Sequence, residues 1–167
     1  GKDINPGAGD GRPFGFYTVG KDYVLFNADD GTSGAELWKS DGTTEGTELL
    51  KDIRPGSRSS APLKFVAYGE RIYFFANDGT HGIEIWSTDG TAEGTTLMHD
   101  LFSGAISGVT SQTQAVVFDG KLVFAGRESN SVGFELWASD GTPEGTLLLK
   151  DIDEDTNGSS APEDFIV

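Results

Sequence analysis

The segment ELWKSDGTTEGT at residues 36–47 indicates the architecture of the protein, because the sequence repeats it twice with few changes. It returns as EIWSTDGTAEGT at residues 84–95 and as ELWASDGTPEGT at residues 135–146. A fixed period of about 50 residues is the signature of a repeat architecture. We therefore interpret the chain as one repeat array over residues 1–167. Its units are expected at about 12–61, 62–111 and 112–161, with partial repeats at 1–11 and 162–167.

Each unit is predicted to contain four short strands, separated by turns rich in Gly and Asp. No stretch of ten residues has a helical period, and the apolar runs are rich in residues that favour strands. The first strands are expected near residues 16–19, 65–68 and 115–118, and the second near 22–28, 71–76 and 121–126. The third strands are expected at 35–40, 83–88 and 134–139, and the fourth at 47–53, 95–101 and 146–152.

The second strand of each unit indicates how the sheets pack. Side chains alternate in direction along a strand, and here both faces are apolar. One face carries Phe26, Phe74 and Phe124, while the opposite face carries residues such as Leu25 and Tyr73. A sheet that is apolar on both faces must be covered on both. The prediction is an all-β, β-propeller-like array of about three four-stranded antiparallel blades. A threefold β-trefoil is the alternative, because it also uses about four strands per unit.

The recurring motif Glu-Leu-Trp-x-x-Asp-Gly-Thr resembles that of the ELWxxDGT repeat family of large, acidic bacterial proteins. The resemblance covers nearly the whole chain. The second unit departs slightly, with Ile85 and Thr88, and the third departs more, with RESNS at residues 127–131 in place of an Asp-Gly turn. The resemblance implies a propeller-like protein that is extracellular or lies on the bacterial cell surface. It implies no activity.

The charge of the chain narrows the possible partners. The 167 residues include 27 acidic and 12 basic side chains, for a formal net charge of −15. Such a chain repels phosphate, so nucleic acid and anionic lipid are not expected partners. No apolar run is long enough to span a bilayer, so no membrane insertion is expected. Cysteine is absent, which excludes disulfides and thiolate chemistry.

The recurring aromatic residues are predicted to form the core of the repeat, since a large aromatic present in every unit fills the space between sheets. The alternative is that the tryptophans are exposed platforms on which sugars stack. The residues concerned are Trp38, Trp86, Trp137, Phe26, Phe74 and Phe124.

Two sets of acidic residues also recur in every unit. Glu36, Glu84 and Glu135 share the Trp face, where a buried carboxylate needs hydrogen bonds, and they are expected to cap backbone N–H groups or a Thr hydroxyl in the adjoining turn. Repeated copies imply near-identical environments, which argues against a catalytic acid–base pair. The Asp residues that open the Asp-Gly-Thr turns are expected to form Asx turns. These are Asp41, Asp89 and Asp140.

Calcium is the one ion that the sequence suggests. Asp29, Asp30, Asn77 and Asp78 lie on oxygen-rich turns of a kind that can bind Ca²⁺. The third unit lacks these residues, and no complete alternating calcium-binding loop is present. The two histidines are isolated, which disfavours zinc. No cofactor is predicted to be required.

The functional hypotheses follow from the repeat array and from the lack of a polar cluster that occurs in one unit only. Propellers close with four to eight blades, so three units predict a slice of a longer array, association with other copies, or a trefoil. The leading hypothesis is a non-enzymatic extracellular structural or adhesive repeat module that self-assembles into a surface fibre or matrix. Its expected partners are other copies or the neighbouring repeats of a longer chain. The alternative is a glycan-binding β-propeller lectin.

Overall fold

A computed structural model describes residues 1–152 and Ser160. In this part of the chain the secondary structure consists of twelve strands and no helix. The first sheet contains β1 (Phe14–Val19), β2 (Tyr23–Asp29), β3 (Ala35–Ser40) and β4 (Glu48–Lys51). The second contains β5 (Leu63–Tyr68), β6 (Arg71–Asn77), β7 (Ile83–Thr88) and β8 (Thr96–His99). The third contains β9 (Ala115–Phe118), β10 (Lys121–Gly126), β11 (Glu135–Ser139) and β12 (Leu147–Lys150).

The predicted all-β fold is confirmed, because the strands form three four-stranded antiparallel sheets. In each sheet the strands pair in chain order, so that every sheet is a simple meander. We call the sheets blade 1 (β1–β4), blade 2 (β5–β8) and blade 3 (β9–β12). Each blade draws its four strands from a single unit. This arrangement favours the propeller-like array, since a trefoil joins strands of different units in one barrel.

The strands differ from the prediction mainly at their ends. The first strands of blades 1 and 2 begin two residues earlier than expected, after which an irregularity shifts the pairing. Gly15 and Lys64 stand at this point with φ of 68° and 59°. The fourth strands are shorter than predicted, because the backbone beyond Lys51 turns to bind a side chain. Residues 1–13 contain no strand. The predicted partial repeat at 162–167 lies outside the described residues.

The blades stack face to face through apolar side chains. We define the leading face of a blade as the one carrying its Trp, and the trailing face as the opposite one. On the trailing face of blade 1, Leu25 and Leu37 belong to the same buried cluster as Phe74 and Trp86 of blade 2's leading face. The seam between blades 2 and 3 repeats this packing. It is formed by Tyr73, Phe75, Ile85 and Met98 against Leu122, Phe124 and Trp137.

The first strands lie closest together across the seams, since β1 approaches β5 and β5 approaches β9. This arrangement places the first strand of each blade along one common side of the array, as in a propeller.

The two outer faces of the array are apolar but incompletely covered. On the leading face of blade 1, Phe16 is 62 % exposed, whereas its equivalent Phe65 in blade 2 is half-buried. On the trailing face of blade 3, Leu149 is 53 % exposed, whereas its equivalents Leu50 and Met98 are each 6 % exposed. The same positions are therefore core residues where a blade has a neighbour and surface residues where it has none.

Candidate functional site

The seam between two blades is organised around a buried glutamate. Glu36 on β3 is completely buried. Its carboxylate accepts hydrogen bonds from the backbone N–H of Ile53 at 2.8 Å and of Ser60 at 2.7 Å, and from the Ser60 hydroxyl. A weaker contact of 3.4 Å comes from the Arg54 N–H. These donors belong to the linker that leads from blade 1 into blade 2. We call the glutamate and its linker donors the glutamate clasp.

Each unit has its own clasp, with one chemical difference. Glu135 accepts the N–H of Ile152 at 3.0 Å, the N–H of Ser160 at 2.9 Å and the Ser160 hydroxyl. Glu84 accepts the N–H of Leu101 at 3.0 Å and that of Gly108. Gly108 stands where the other two linkers have serine, so no hydroxyl reaches Glu84 from that position.

The prediction that these glutamates cap backbone N–H groups is confirmed, but the predicted location of the donors was wrong. They belong to the inter-blade linker, 17 and 24 residues after Glu36, and not to the adjoining turn. The expectation of near-identical environments also fails, because serine and glycine alternate at one donor position. Each of the three carboxyls is bound by the linker of its own unit, and each is completely buried. They hold the fold together and offer no exposed acid–base pair.

Burial dominates the acidity of the clasps. It raises the pKa of the Glu36 carboxyl, although the Ser60 hydroxyl and the backbone N–H groups act in the opposite direction. Burial raises the pKa of Glu84 to about 8, opposed by the N–H groups of Gly108 and Leu101 and reinforced by the charge of Asp100. The Glu84 carboxyl is thus largely protonated at neutral pH, whereas Glu36 has the additional hydroxyl that favours its charged form.

The linker also bonds to the blades on both sides of it. The N–H of Ala61 donates to the carbonyl of Ala35 in blade 1 at 3.1 Å, and the carbonyl of Ser60 accepts from Asn77 in blade 2 at 3.0 Å. The second linker repeats both bonds, at 3.3 Å and 2.8 Å. The clasp therefore fixes the neighbouring blades relative to each other through directional bonds as well as through apolar packing.

The Asp-Gly-Thr turns form the polar edge of each seam. Asp41 accepts the N–H of Thr43 at 2.9 Å and its hydroxyl at 2.7 Å, and the same Asx turn recurs at Asp89 and Asp140. These bonds confirm the predicted role of the three aspartates. The hydrogen bond from the Thr43 hydroxyl is the largest of the effects that lower the pKa of the Asp41 carboxyl.

The preceding blade reaches over each turn of its neighbour. The Lys39 ammonium of blade 1 donates to the carbonyl of Gly90 at 3.0 Å, and that of Lys51 donates to the carbonyl of Ala92 at 3.1 Å. At the next seam, the Tyr73 hydroxyl donates to the carbonyl of Gly141 at 3.3 Å. The turn of blade 1 has no such cover, and a Cβ added at Gly42 would meet nothing within 4 Å.

The structure places the six recurring aromatics in the core, where they are 0–8 % exposed. The indole N–H of Trp137 donates to the carbonyl of Gly126 at 2.9 Å. Rings buried in this way present no face to a sugar, so the alternative role of the tryptophans as sugar platforms is not supported by their geometry. Four of them fill the two internal seams, whereas Phe26 and Trp38 pack on the leading face of blade 1.

A different aromatic pair lines an open cleft between blades 2 and 3. The cleft has a volume of about 750 Å³, and Tyr68 and Tyr73 line it together with Arg71, Asp89 and Asp140. The two tyrosine rings are 6.0 Å apart. Sequence reasoning missed this cleft, because it combines residues of two units. The available signal was the pair of tyrosines that only the second unit carries at these positions.

The residues suggested for calcium are not brought together. Asp30 accepts the N–H groups of Thr32 and Ser33 at 2.8 and 2.7 Å, and Asp29 accepts that of Gly31 at 2.7 Å. Asn77 and Asp78 make equivalent turns in blade 2, where Asp78 also pairs with His81. Within residues 1–152 and Ser160, no group of three or more His, Asp or Glu side chains is placed to hold a metal ion. Calcium binding stays a prediction.

Comparison with known proteins identifies no relative. The chain matches no family model, no curated protein and no solved structure. The resemblance to the ELWxxDGT repeat family therefore stays a prediction that rests on the motif alone. In the part of the chain that the structure describes, no helix is long and apolar enough to cross a membrane.

Proposed function

We propose that the chain is a non-enzymatic structural or adhesive repeat module of the bacterial cell surface or extracellular matrix, which builds larger assemblies by stacking blades. One observation carries the proposal. Leu149 of blade 3 is 53 % exposed, whereas its equivalents Leu50 and Met98 are each 6 % exposed under the next blade. The outer face of the array thus has the side chains of a blade-to-blade contact.

Two further features support a structural role. The recurring polar residues are engaged in clasps and turns that hold the blades together, and the three clasp glutamates among them are completely buried. The acidic surface opposes uncontrolled aggregation by mutual repulsion, which is a useful property for a protein that exposes apolar faces. The extracellular location rests on the resemblance to the ELWxxDGT family alone.

The proposal is tested by measuring the assembly state of the chain. Multi-angle light scattering over a range of concentrations, with electron microscopy of the same samples, is expected to show oligomers or elongated particles. The fraction assembled should rise with ionic strength, because salt screens the charge of −15. A compact monomer at every concentration and salt level would contradict the proposal.

The cleft between blades 2 and 3 supports a second candidate, glycan binding. Tyrosine rings and carboxylates around a concave site supply the stacking and hydrogen bonding that sugars need. A glycan array should then give hits that Tyr68→Ala removes. Phe118→Ala is the matched control, since Phe118 is the equivalent residue of blade 3 and is 70 % exposed. Equal loss in both variants, or no hits with the native chain, would exclude this cleft as the site.

A further inference from the structure

We infer that the partner of the exposed trailing face of blade 3 is the leading face of blade 1 in a second copy of this chain, bound head to tail. This inference rests on the proposed function and names the surface and the register of the contact. Its basis is the continuity of the two outer faces with seams that the chain already forms twice. A trailing face meets a leading face at both internal seams, and the described part of the chain has one further face of each kind.

The apolar parts of the two outer faces match the internal seams position by position. Leu149 occupies the repeat position of Leu50 and Met98, which are buried in the internal seams. Leu136 is half-buried, whereas its equivalents Leu37 and Ile85 are completely buried. Across the seam, the incoming copy offers Phe16, which is stacked on its own Phe26 at 5.3 Å and exposed on its outer side. Docking would give each of these side chains the neighbours that its equivalents have.

The polar contacts of the seam are also available. Lys150 is exposed and occupies the repeat position of Lys51, whose ammonium binds the carbonyl of Ala92 in the next blade. The position of Ala92 is occupied in blade 1 by Thr44, which is exposed. A second copy in the register of the internal seams therefore brings the Lys150 ammonium to the Thr44 carbonyl.

Each internal seam contains one linker, and the incoming copy brings the equivalent segment of its own. Ile4 occupies the repeat position of Ile53 and packs on the leading face of blade 1. The carbonyl of Gly11 accepts from Asp29 at 2.9 Å, just as that of Ser60 accepts from Asn77. We assign the groove of the intermolecular seam to residues 2–12 of the incoming copy. Their N–H groups at Ile4 and Gly11 then take the place of those of Ile152 and Ser160 on Glu135.

The contact joins two different faces, so copies that use it form a closed ring or an open filament. The described parts of two copies supply six blades, a number within the range at which propellers close. The charge of each copy opposes the contact at low ionic strength. Association should therefore strengthen with salt up to about 1 M, where the screening length is about 3 Å.

The register is tested by cross-linking, which the absence of cysteine in the native chain makes specific. Lys150→Cys and Thr44→Cys are made as two separate single variants and treated with a short bis-maleimide, each alone and as an equimolar mixture. The inferred contact predicts a cross-linked dimer in the mixture and little in either variant alone. A cross-linking yield in either variant alone that equals the yield in the mixture would indicate contact between like faces and overturn the inference. If light scattering shows assembly without a mixed cross-link, the inference fails and the proposed function stands. If no assembly occurs, both fail.

A matched pair of substitutions tests whether the trailing face of blade 3 forms the contact. Leu149→Glu is expected to weaken association by about tenfold or more, because the contact would then bury a charge. Leu147→Glu is the control on the same strand, since Leu147 is 61 % exposed and its equivalents Glu48 and Thr96 are polar and exposed in the other blades. Circular dichroism of both variants establishes that they fold. Equal association of the two variants would overturn the inference.

A second pair tests which linker fills the groove. If residues 2–12 of the incoming copy occupy it, Ile4→Asp weakens association and Ile152→Asp leaves it unchanged or strengthens it. The opposite order, with Ile152→Asp the weaker associating variant, would overturn the assignment of the groove. Tryptophan fluorescence reports whether blade 1 of the Ile4→Asp variant keeps its native packing around Trp38.

Discussion

Replacing Glu84 by glutamine should make the stability of the protein less dependent on pH. The carboxyl pKa rises from 4.5 to about 8 on folding, and each pKa unit corresponds to about 1.4 kcal/mol. A raised folded pKa stabilises the native state fully below pH 4.5, and this contribution is lost as the pH rises through 8. Ionisation of Glu84 therefore removes up to about 5 kcal/mol from the free energy of unfolding.

The Glu84→Gln variant cannot ionise, but the amide has only one acceptor oxygen for the N–H groups of Leu101 and Gly108. At pH 5 the loss of an acceptor should make it less stable than the native chain by about 1–3 kcal/mol. At pH 9 the native chain has lost the contribution of protonated Glu84, so the variant should be equally stable or more stable. Urea unfolding followed by tryptophan fluorescence from pH 5 to pH 9 measures both curves.

Glu36→Gln is the matched control, because the clasp of Glu36 has the Ser60 hydroxyl that Glu84 lacks. Its carboxylate is better stabilised, so this variant should recover less stability at high pH than Glu84→Gln does. A constant difference between the native chain and Glu84→Gln across the whole pH range would refute the reasoning that burial without a hydroxyl donor controls this clasp.

Three further predictions concern the turns, the linker and calcium. Thr95→Val should cost about 1–3 kcal/mol in urea unfolding, because the buried hydroxyl of Thr95 binds the carbonyl of Thr91; the exposed Thr96→Val should change little. Gly82→Ala should lower the midpoint of thermal unfolding more than Gly69→Ala. Both glycines have positive φ, but a Cβ at Gly82 would lie 2.6 Å from linker backbone, whereas one at Gly69 would meet nothing. Calcium binding predicts a higher melting temperature with Ca²⁺ than with chelator, and equal values would exclude it.

The features that the sequence predicted correctly depend on local pattern. The three-unit array, the strand order and the burial of Trp38 follow from a period of about 50 residues and from alternation along strands. The Asx turn at Asp41 follows from three adjacent residues that favour it. These expectations needed no knowledge of how one unit meets the next.

The features that the sequence did not predict all lie between units. The donors to Glu36 are 17 and 24 residues away, in the linker to the next blade and outside the recurring motif. The cleft at Tyr68 and Tyr73 forms only when blades 2 and 3 are side by side. The residues that differ between units, such as Gly108 in place of serine, change the chemistry of a seam although the repeat motif itself is intact.

The glutamate clasp has a consequence for how such arrays can change in length. The carboxylate is on the third strand of one unit, and its donors are in the segment that enters the next unit, up to 24 residues later, so a clasp is encoded within a continuous stretch of about half a repeat. Duplication of a whole repeat in the gene would therefore insert a blade together with its own anchoring bonds, and deletion of a whole repeat would remove a blade and leave the flanking blades able to join. The number of blades is therefore free to vary during evolution without new joints having to arise.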